Sequence, residues 1–100
     1  MNDGLTPKNR EEIREILGKA VHVDRAVLFG SRATGTFGRA SDIDLALEGQ
    51  NLDLSDLVLL HGEFIESSLP YQVDLILRAG IVNPELENNI KKHGKTLYKR

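Results

Sequence analysis

The 100-residue sequence contains no cysteine, no tryptophan and only five aromatic residues. Without cysteine, the chain can form neither a disulfide nor a thiolate metal site, which is typical of proteins in a reducing compartment. No stretch reaches the ~18 consecutive apolar residues that cross a bilayer, and no apolar signal-peptide core follows the first residue. We therefore expect a cytoplasmic protein with no membrane partner.

A large excess of positive charge is also missing. The formal net charge is −2 and the pI is about 5.9, whereas nucleic-acid-binding domains usually have a basic face and a high pI. We therefore expect no direct binding to nucleic acid. We interpret the locally basic C-terminus as a solvated helix end and tail, because cations favour helix C-termini; its members are Lys91, Lys92, Lys95, Lys99 and Arg100.

The length and the apolar pattern predict one small domain over residues 1–100. Helix starts are indicated at Thr6-Pro7 and Asn83-Pro84, where a capping oxygen precedes proline, and a middle helix ends before Pro70. Apolar or alternating runs predict strands over 25–30, 43–48 and 71–78. The order helix, strand, strand, helix, strand, helix favours an α/β or α+β domain with helices packed on one sheet face.

The most informative stretch is residues 30–44, which opens with a Gly-Ser pair directly after an apolar run. Gly30 has no Cβ, so backbone there can approach a phosphate closely. Ser31 offers a hydroxyl and a backbone N–H at the start of a short helix, which is a natural anion site. Arg32 and Arg39 could add charge-assisted contacts to phosphate oxygens. The stretch therefore predicts a site for a nucleoside triphosphate.

Three carboxylates are expected to cluster at the end of this stretch. Side chains alternate along a strand, so Asp42, just before the predicted strand over 43–48, and Asp44 share one face, with Cα atoms roughly 6.6 Å apart. Asp74 joins that face if the strand over 71–78 is a neighbour. Clustered carboxylates repel one another unless a cation is bound, and magnesium prefers oxygen ligands.

Each of these residues also has a plain structural interpretation. The Gly-Ser pair could form an ordinary turn and Asp42 could cap a loop. Asp74 could be an exposed strand carboxylate, and Arg32 and Arg39 could be solvated loop charges. The coincidence of the four motif positions with the strand ends favours the functional interpretation.

The motif resembles the DNA polymerase β-type nucleotidyltransferases. The residues that carry the resemblance are Gly30-Ser31, ten intervening residues, Asp42-x-Asp44 and the later Asp74. The small size and the closing Lys-His-Gly-Lys-Thr-Leu-Tyr stretch are similar to the minimal nucleotidyltransferases (MNT), antitoxins that are paired with HEPN-domain toxins.

This resemblance implies a mixed sheet in an α/β core and ATP bound with two magnesium ions. Gly30 and Ser31 would hold the terminal phosphates, and Asp42 and Asp44 would ligate magnesium. Asp74 would ligate the catalytic metal or activate the acceptor hydroxyl. The family chemistry is in-line attack on the α-phosphate with pyrophosphate leaving, and the implied acceptor is a tyrosine hydroxyl of the toxin.

So short a chain leaves few residues for an acceptor pocket, so we expect the acceptor to come from another protein, in a homo- or hetero-oligomer. Two alternatives stay open. The protein could neutralise a toxin by binding alone, or it could be the catalytic subunit of a small-molecule (antibiotic-type) nucleotidyltransferase.

Overall fold

The computed structural model describes residues 3–100, so the first two residues of the predicted 1–100 domain lie outside it. Helices and strands alternate along most of this range. They are α1 (Pro7–Lys19), β1 (Arg25–Phe29), α2 (Ser31–Thr34), β2 (Ile43–Glu48), α3 (Leu54–Ile65), β3 (Val73–Leu77), a 3₁₀ turn (Arg78–Gly80), α4 (Pro84–His93) and β4 (Lys95–Lys99). None of the helices in residues 3–100 has the length and apolar character needed to cross a membrane.

The strands form one four-stranded mixed sheet in the order β3-β2-β1-β4. β1 pairs antiparallel with both β2 and β4, and β2 pairs in parallel with β3. The parallel pair is connected by α3, because a parallel connection needs a crossover of a dozen or more residues. The predicted mixed α/β class is confirmed. The register places Asp44 opposite both Phe29 on β1 and Asp74 on β3.

The main core lies between one face of the sheet and the helices α1 and α3. Alternate strand residues point to this face because side chains alternate along a strand. The central members are fully or almost fully buried, and each contributes roughly 1.5–3 kcal/mol to stability; they are Ile13, Leu17, Leu28, Leu45, Leu47, Leu60 and Phe64.

The prediction that the helices pack on one sheet face is wrong for α4. Ile90 of α4 packs on the opposite face against Val27 and Ala46. Ile90 and Val27 are each 2% exposed, and Ala46 is 0% exposed. Ala46 alternates with Asp44 and Glu48, so this face of β2 looks polar in the sequence. Ala46, the small apolar residue between these two carboxylates, is nevertheless the position at which α4 covers the sheet.

The predicted solvated helix end is confirmed for Lys91 and Lys92, which are exposed in the last turn of α4, but the prediction of a solvated tail after it is wrong. Gly94 caps α4 and donates its N–H to the Ile90 carbonyl at 2.8 Å, and β4 begins at the next residue. Leu97 in the middle of β4 is 3% exposed, and its carbonyl accepts a hydrogen bond from Nε of Arg14 on α1. Lys95 and Lys99 at the two ends of β4 make this strand difficult to recognise in the sequence. Lysine is nevertheless common on edge strands such as β4, because it discourages pairing with another chain.

Candidate active site

Gly30 makes the turn from β1 into α2 directly beside the carboxylate of Asp44. Its backbone has φ 76° and ψ −156°, a conformation that L residues with a side chain rarely adopt. A Cβ at this position would overlap Oδ2 of Asp44. Glycine is therefore needed here for two reasons, the positive φ and the close approach of a carboxylate.

Ser31 is the first residue of α2, where the leading N–H groups of a helix have no intrahelical acceptor. The single turn of helix closes at Gly35, whose N–H bonds to the Ser31 carbonyl at 2.9 Å with φ 86°. Ser31 is half-buried and directly follows Gly30, which lies beside Asp44. The structure thus places the Gly30-Ser31 turn beside Asp44, and its contact with phosphate stays a prediction.

Asp44 and Asp74 form a cross-strand pair on the sheet face shared with α4. Asp44 is half-buried, whereas Asp74 on the edge strand is exposed. Burial raises the pKa of Asp44 to about 6, with further contributions from the negative charges of Asp74 and Asp42 and from a hydrogen bond with Asp74. Like charges directly opposite each other on a sheet are destabilising, so this pair favours a bound proton or a bound cation.

Asp42 lies one residue before β2 and is exposed. β2 therefore has the predicted bounds 43–48 and leaves Asp42 just outside it, although the negative charge of Asp42 acts on Asp44. Within residues 3–100, no three side chains of the types His, Cys, Asp and Glu are arranged to hold a metal ion. The Asp44–Asp74 pair does fit magnesium bound with a nucleotide, since Mg²⁺ commonly takes one or two carboxylates together with substrate phosphates.

Arg32 is not placed to contact a phosphate, which corrects the expectation from the sequence. It is 1% exposed. Its Nε and Nη2 donate to the carbonyl of Ser41 at 3.0 and 2.9 Å, and Nη1 donates to the carbonyl of Asp3 at 2.9 Å. The guanidinium also lies 4.2 Å from the ring centroid of Tyr71 and 5.2 Å from that of Phe37. Arg32 is a buried structural residue that holds the loop before Asp42.

Arg39 lies in the exposed part of that loop, so its predicted contact with a phosphate stays a prediction. The residues around Arg32 were missed in the sequence because they come from distant segments. The buried Asp3, which pairs with Arg10, precedes α1, and Tyr71 precedes β3. Nothing in the local sequence signals that these residues meet.

A mixed sheet that brings a Gly-Ser turn against paired strand carboxylates is the architecture of enzymes that transfer nucleotidyl groups. The family model described as polymerase beta, nucleotidyltransferase, matches residues 11–100, and the chain belongs to this family. None of the curated protein sequences gives a significant match.

Solved structures support the same fold. A chain of a toxin–antitoxin complex crystallised with AMP-PNP is 29% identical with a TM-score of 0.75, over 92% of this chain and 74% of that one. A chain of a mutant MntA–HpeT toxin–antitoxin complex is 24% identical with a TM-score of 0.73 over the same shares. A Sulfolobus solfataricus protein described as a nucleotidyltransferase is 23% identical with a TM-score of 0.56, over 91% and 77% of the two chains. The resemblance to MNT proteins is thereby supported at the level of the fold.

Proposed function

We propose that the protein is a cytoplasmic antitoxin that transfers AMP from magnesium-bound ATP to a tyrosine hydroxyl of a HEPN-domain toxin. The observation that carries the proposal is the pairing of Asp44 with Asp74 beside the Gly30-Ser31 turn. The similarity to a toxin–antitoxin chain crystallised with AMP-PNP supports both the nucleotide and the kind of partner.

Each of the candidate site residues has a separate role in the transfer. Gly30 and Ser31 bind the terminal phosphates through backbone N–H groups and the serine hydroxyl, at a turn that lets the backbone approach closely. Asp44 and Asp74 would hold magnesium together with the phosphates, with the charge of Asp42 nearby, and two such ions would stabilise the attacking and leaving oxygens. The raised pKa of Asp44 supports this role, because burial and the neighbouring carboxylates disfavour its negative charge unless a cation is bound.

Asp74 also faces the acceptor, because it is the more exposed carboxylate of the pair and lies on an edge strand. In the transfer it accepts the proton of the tyrosine hydroxyl. The phenolic oxygen forms a bond to the α-phosphorus while the bond between that phosphorus and the bridging oxygen of the β-phosphate breaks. The products are an AMP–tyrosine ester on the toxin and pyrophosphate.

The test uses the purified protein, magnesium, the HEPN-domain protein that purifies with it, and ATP labelled at the α-phosphate. We expect label on the partner with the wild type and no label with the double variant Asp42→Asn, Asp44→Asn. Asp24→Asn is the matched control, since Asp24 is an exposed aspartate that precedes β1, at the opposite end of the strand from Gly30. It should label the partner as the wild type does.

Four results would contradict the proposal. Label that persists in the double variant, or that arises from γ-labelled ATP, excludes this AMP transfer. A double variant that still protects cells from the toxin makes the protein an antitoxin that acts by binding. Labelling of a small hydroxylated acceptor without any protein partner makes it a small-molecule transferase.

A further inference from the structure

The outer edge of β3 is unpaired in the part of the chain that the structure describes. β3 is the last strand of the sheet on its side and pairs only with β2. Its sequence, Val-Asp-Leu-Ile-Leu, has none of the proline or lysine residues that usually protect an edge strand. The backbone groups on this edge are therefore available to pair with another extended chain.

An apolar groove runs along this free edge. One wall is the side of α3 that carries Leu54 and Val58, which are 69% and 72% exposed. The other wall, at the far end of β3, includes Val82, which is 94% exposed. The groove continues past Leu75 and ends at Asp74. Large apolar side chains this exposed along one groove mark a surface that binds a partner.

The segment that supplies the α3 and β3 sides of the groove is acidic. Residues 40–77, which form β2, α3 and β3, contain eight acidic residues and no lysine or arginine. Asp74 is the charged side chain that lines the groove, and Asp53 caps α3 beside Leu54. Arg78, which follows β3, is already paired with Glu48 and Glu87. A segment that binds here is therefore favoured if it carries positive charge.

From these observations we infer that the free edge of β3 binds an extended, basic segment of a partner protein as an added β-strand, with alternate apolar side chains in the groove beside α3. The biological role of this docking edge rests on the proposed function. A strand added to β3 passes Asp74, so a hydroxyl side chain of the added strand would be brought to the carboxylate pair. Docking itself requires neither ATP nor metal.

The probe is a synthetic peptide of about eight residues that alternates lysine with valine and contains one tyrosine. It is added to the isotope-labelled protein without ATP or magnesium, and backbone amide shifts and hydrogen exchange are measured. At about 1 mM peptide we expect shift changes at residues 54–61, 73–77 and 80–83, and slower exchange of the β3 amides. A matched peptide with glutamate in place of lysine should bind at least about tenfold more weakly.

Two variants of α3 provide a matched comparison. Val58→Lys places a charge in the groove and should weaken peptide binding at least about tenfold. Leu59→Lys changes the neighbouring residue, which is 71% exposed but lies on the side of α3 next to α1. It should leave the affinity within about twofold. Both positions are exposed, so both variants should fold.

Several outcomes overturn the inference. One is the absence of chemical-shift changes at residues 73–77. Another is an equal loss of peptide affinity in Val58→Lys and Leu59→Lys. A third is a glutamate peptide that binds as tightly as the lysine peptide. Equal binding of a peptide with alternate amides methylated excludes strand pairing. A protein that without peptide already protects its β3 amides and elutes as a dimer has a second copy on this edge. Peptide docking without AMP transfer contradicts only the proposed function.

Discussion

The guanidinium of Arg32 donates two hydrogen bonds to the carbonyl of Ser41, the residue before Asp42. A third hydrogen bond reaches the carbonyl of Asp3, and the Tyr71 ring lies against the same guanidinium. One buried side chain thus joins the N-terminal segment, the loop before Asp42 and the entry to β3. The position of Asp42 depends on a cation that sequence alone assigned to phosphate binding.

Arg32→Lys should lower the free energy of unfolding by about 2–4 kcal/mol, because lysine keeps the charge but not the planar set of donors. Urea denaturation measures the loss. Arg39→Lys, the same change at an exposed position of the loop that Arg32 holds, should stay within about 0.5 kcal/mol of the wild type. If Arg32→Lys left the stability unchanged but weakened ATP binding, Arg32 would be a phosphate-binding residue and not a structural one.

Gly30→Ala should destabilise the protein by about 1–3 kcal/mol and abolish transfer, because a Cβ strains the backbone at φ 76° and overlaps Asp44. Gly62→Ala is the control. Gly62 lies within α3, where a Cβ meets nothing within 4 Å, so alanine should stabilise the protein by about 0.5–1 kcal/mol. Thermal unfolding distinguishes the two, and equal effects would contradict the close approach of Gly30 to Asp44.

Asp44 should make the metal-free protein less stable as pH rises. Its folded pKa of about 6 lies above the ordinary value of 3.8, so the fold favours the neutral acid and loses stability as pH rises through about 6. Asp44→Asn removes this dependence. Its stability advantage should be about 1 kcal/mol larger at pH ~7.5 than at pH ~5, a figure reduced for partial exposure.

The measurement for Asp44 is urea denaturation in EDTA at both pH values. Magnesium together with ATP should restore stability to the wild type at the higher pH, and should do so less for the asparagine variant. An advantage of Asp44→Asn that is equal at both pH values would show that the carboxylate is not desolvated as the structure indicates.

Leu97→Ala should cost about 2–4 kcal/mol, because β4 is part of the sheet and Leu97 is 3% exposed. Lys99→Ala, at an exposed position of the same strand, should change stability by less than about 0.5 kcal/mol. The check is the midpoint of chemical denaturation. Two equally mild variants would mean that the C-terminus behaves as the solvated tail expected from its lysines.

Much of the fold follows from local signals. Proline after a capping side chain marks both α1 and α4, and the alternation in β2 and β3 identifies their faces. The errors have a common cause. β4 and the α4 side of the sheet are specified by one or two buried side chains among charged ones, such as Leu97 and Ala46, and a short pattern of that kind is too weak to detect without its partners.

The sequence by itself predicted the chemistry of the candidate site. The Gly-Ser pair and Asp42-x-Asp44 are local patterns tied to strand ends, so the order of residues along the chain is enough to predict that Gly30 and Asp44 lie close together. Asp74 joins them only because β3 pairs with β2. Only the tertiary structure decided which side chains face that place. Burial depends on distant segments: Asp3 and Tyr71 enclose Arg32, and the order of the strands leaves β3 with a free edge beside Asp74.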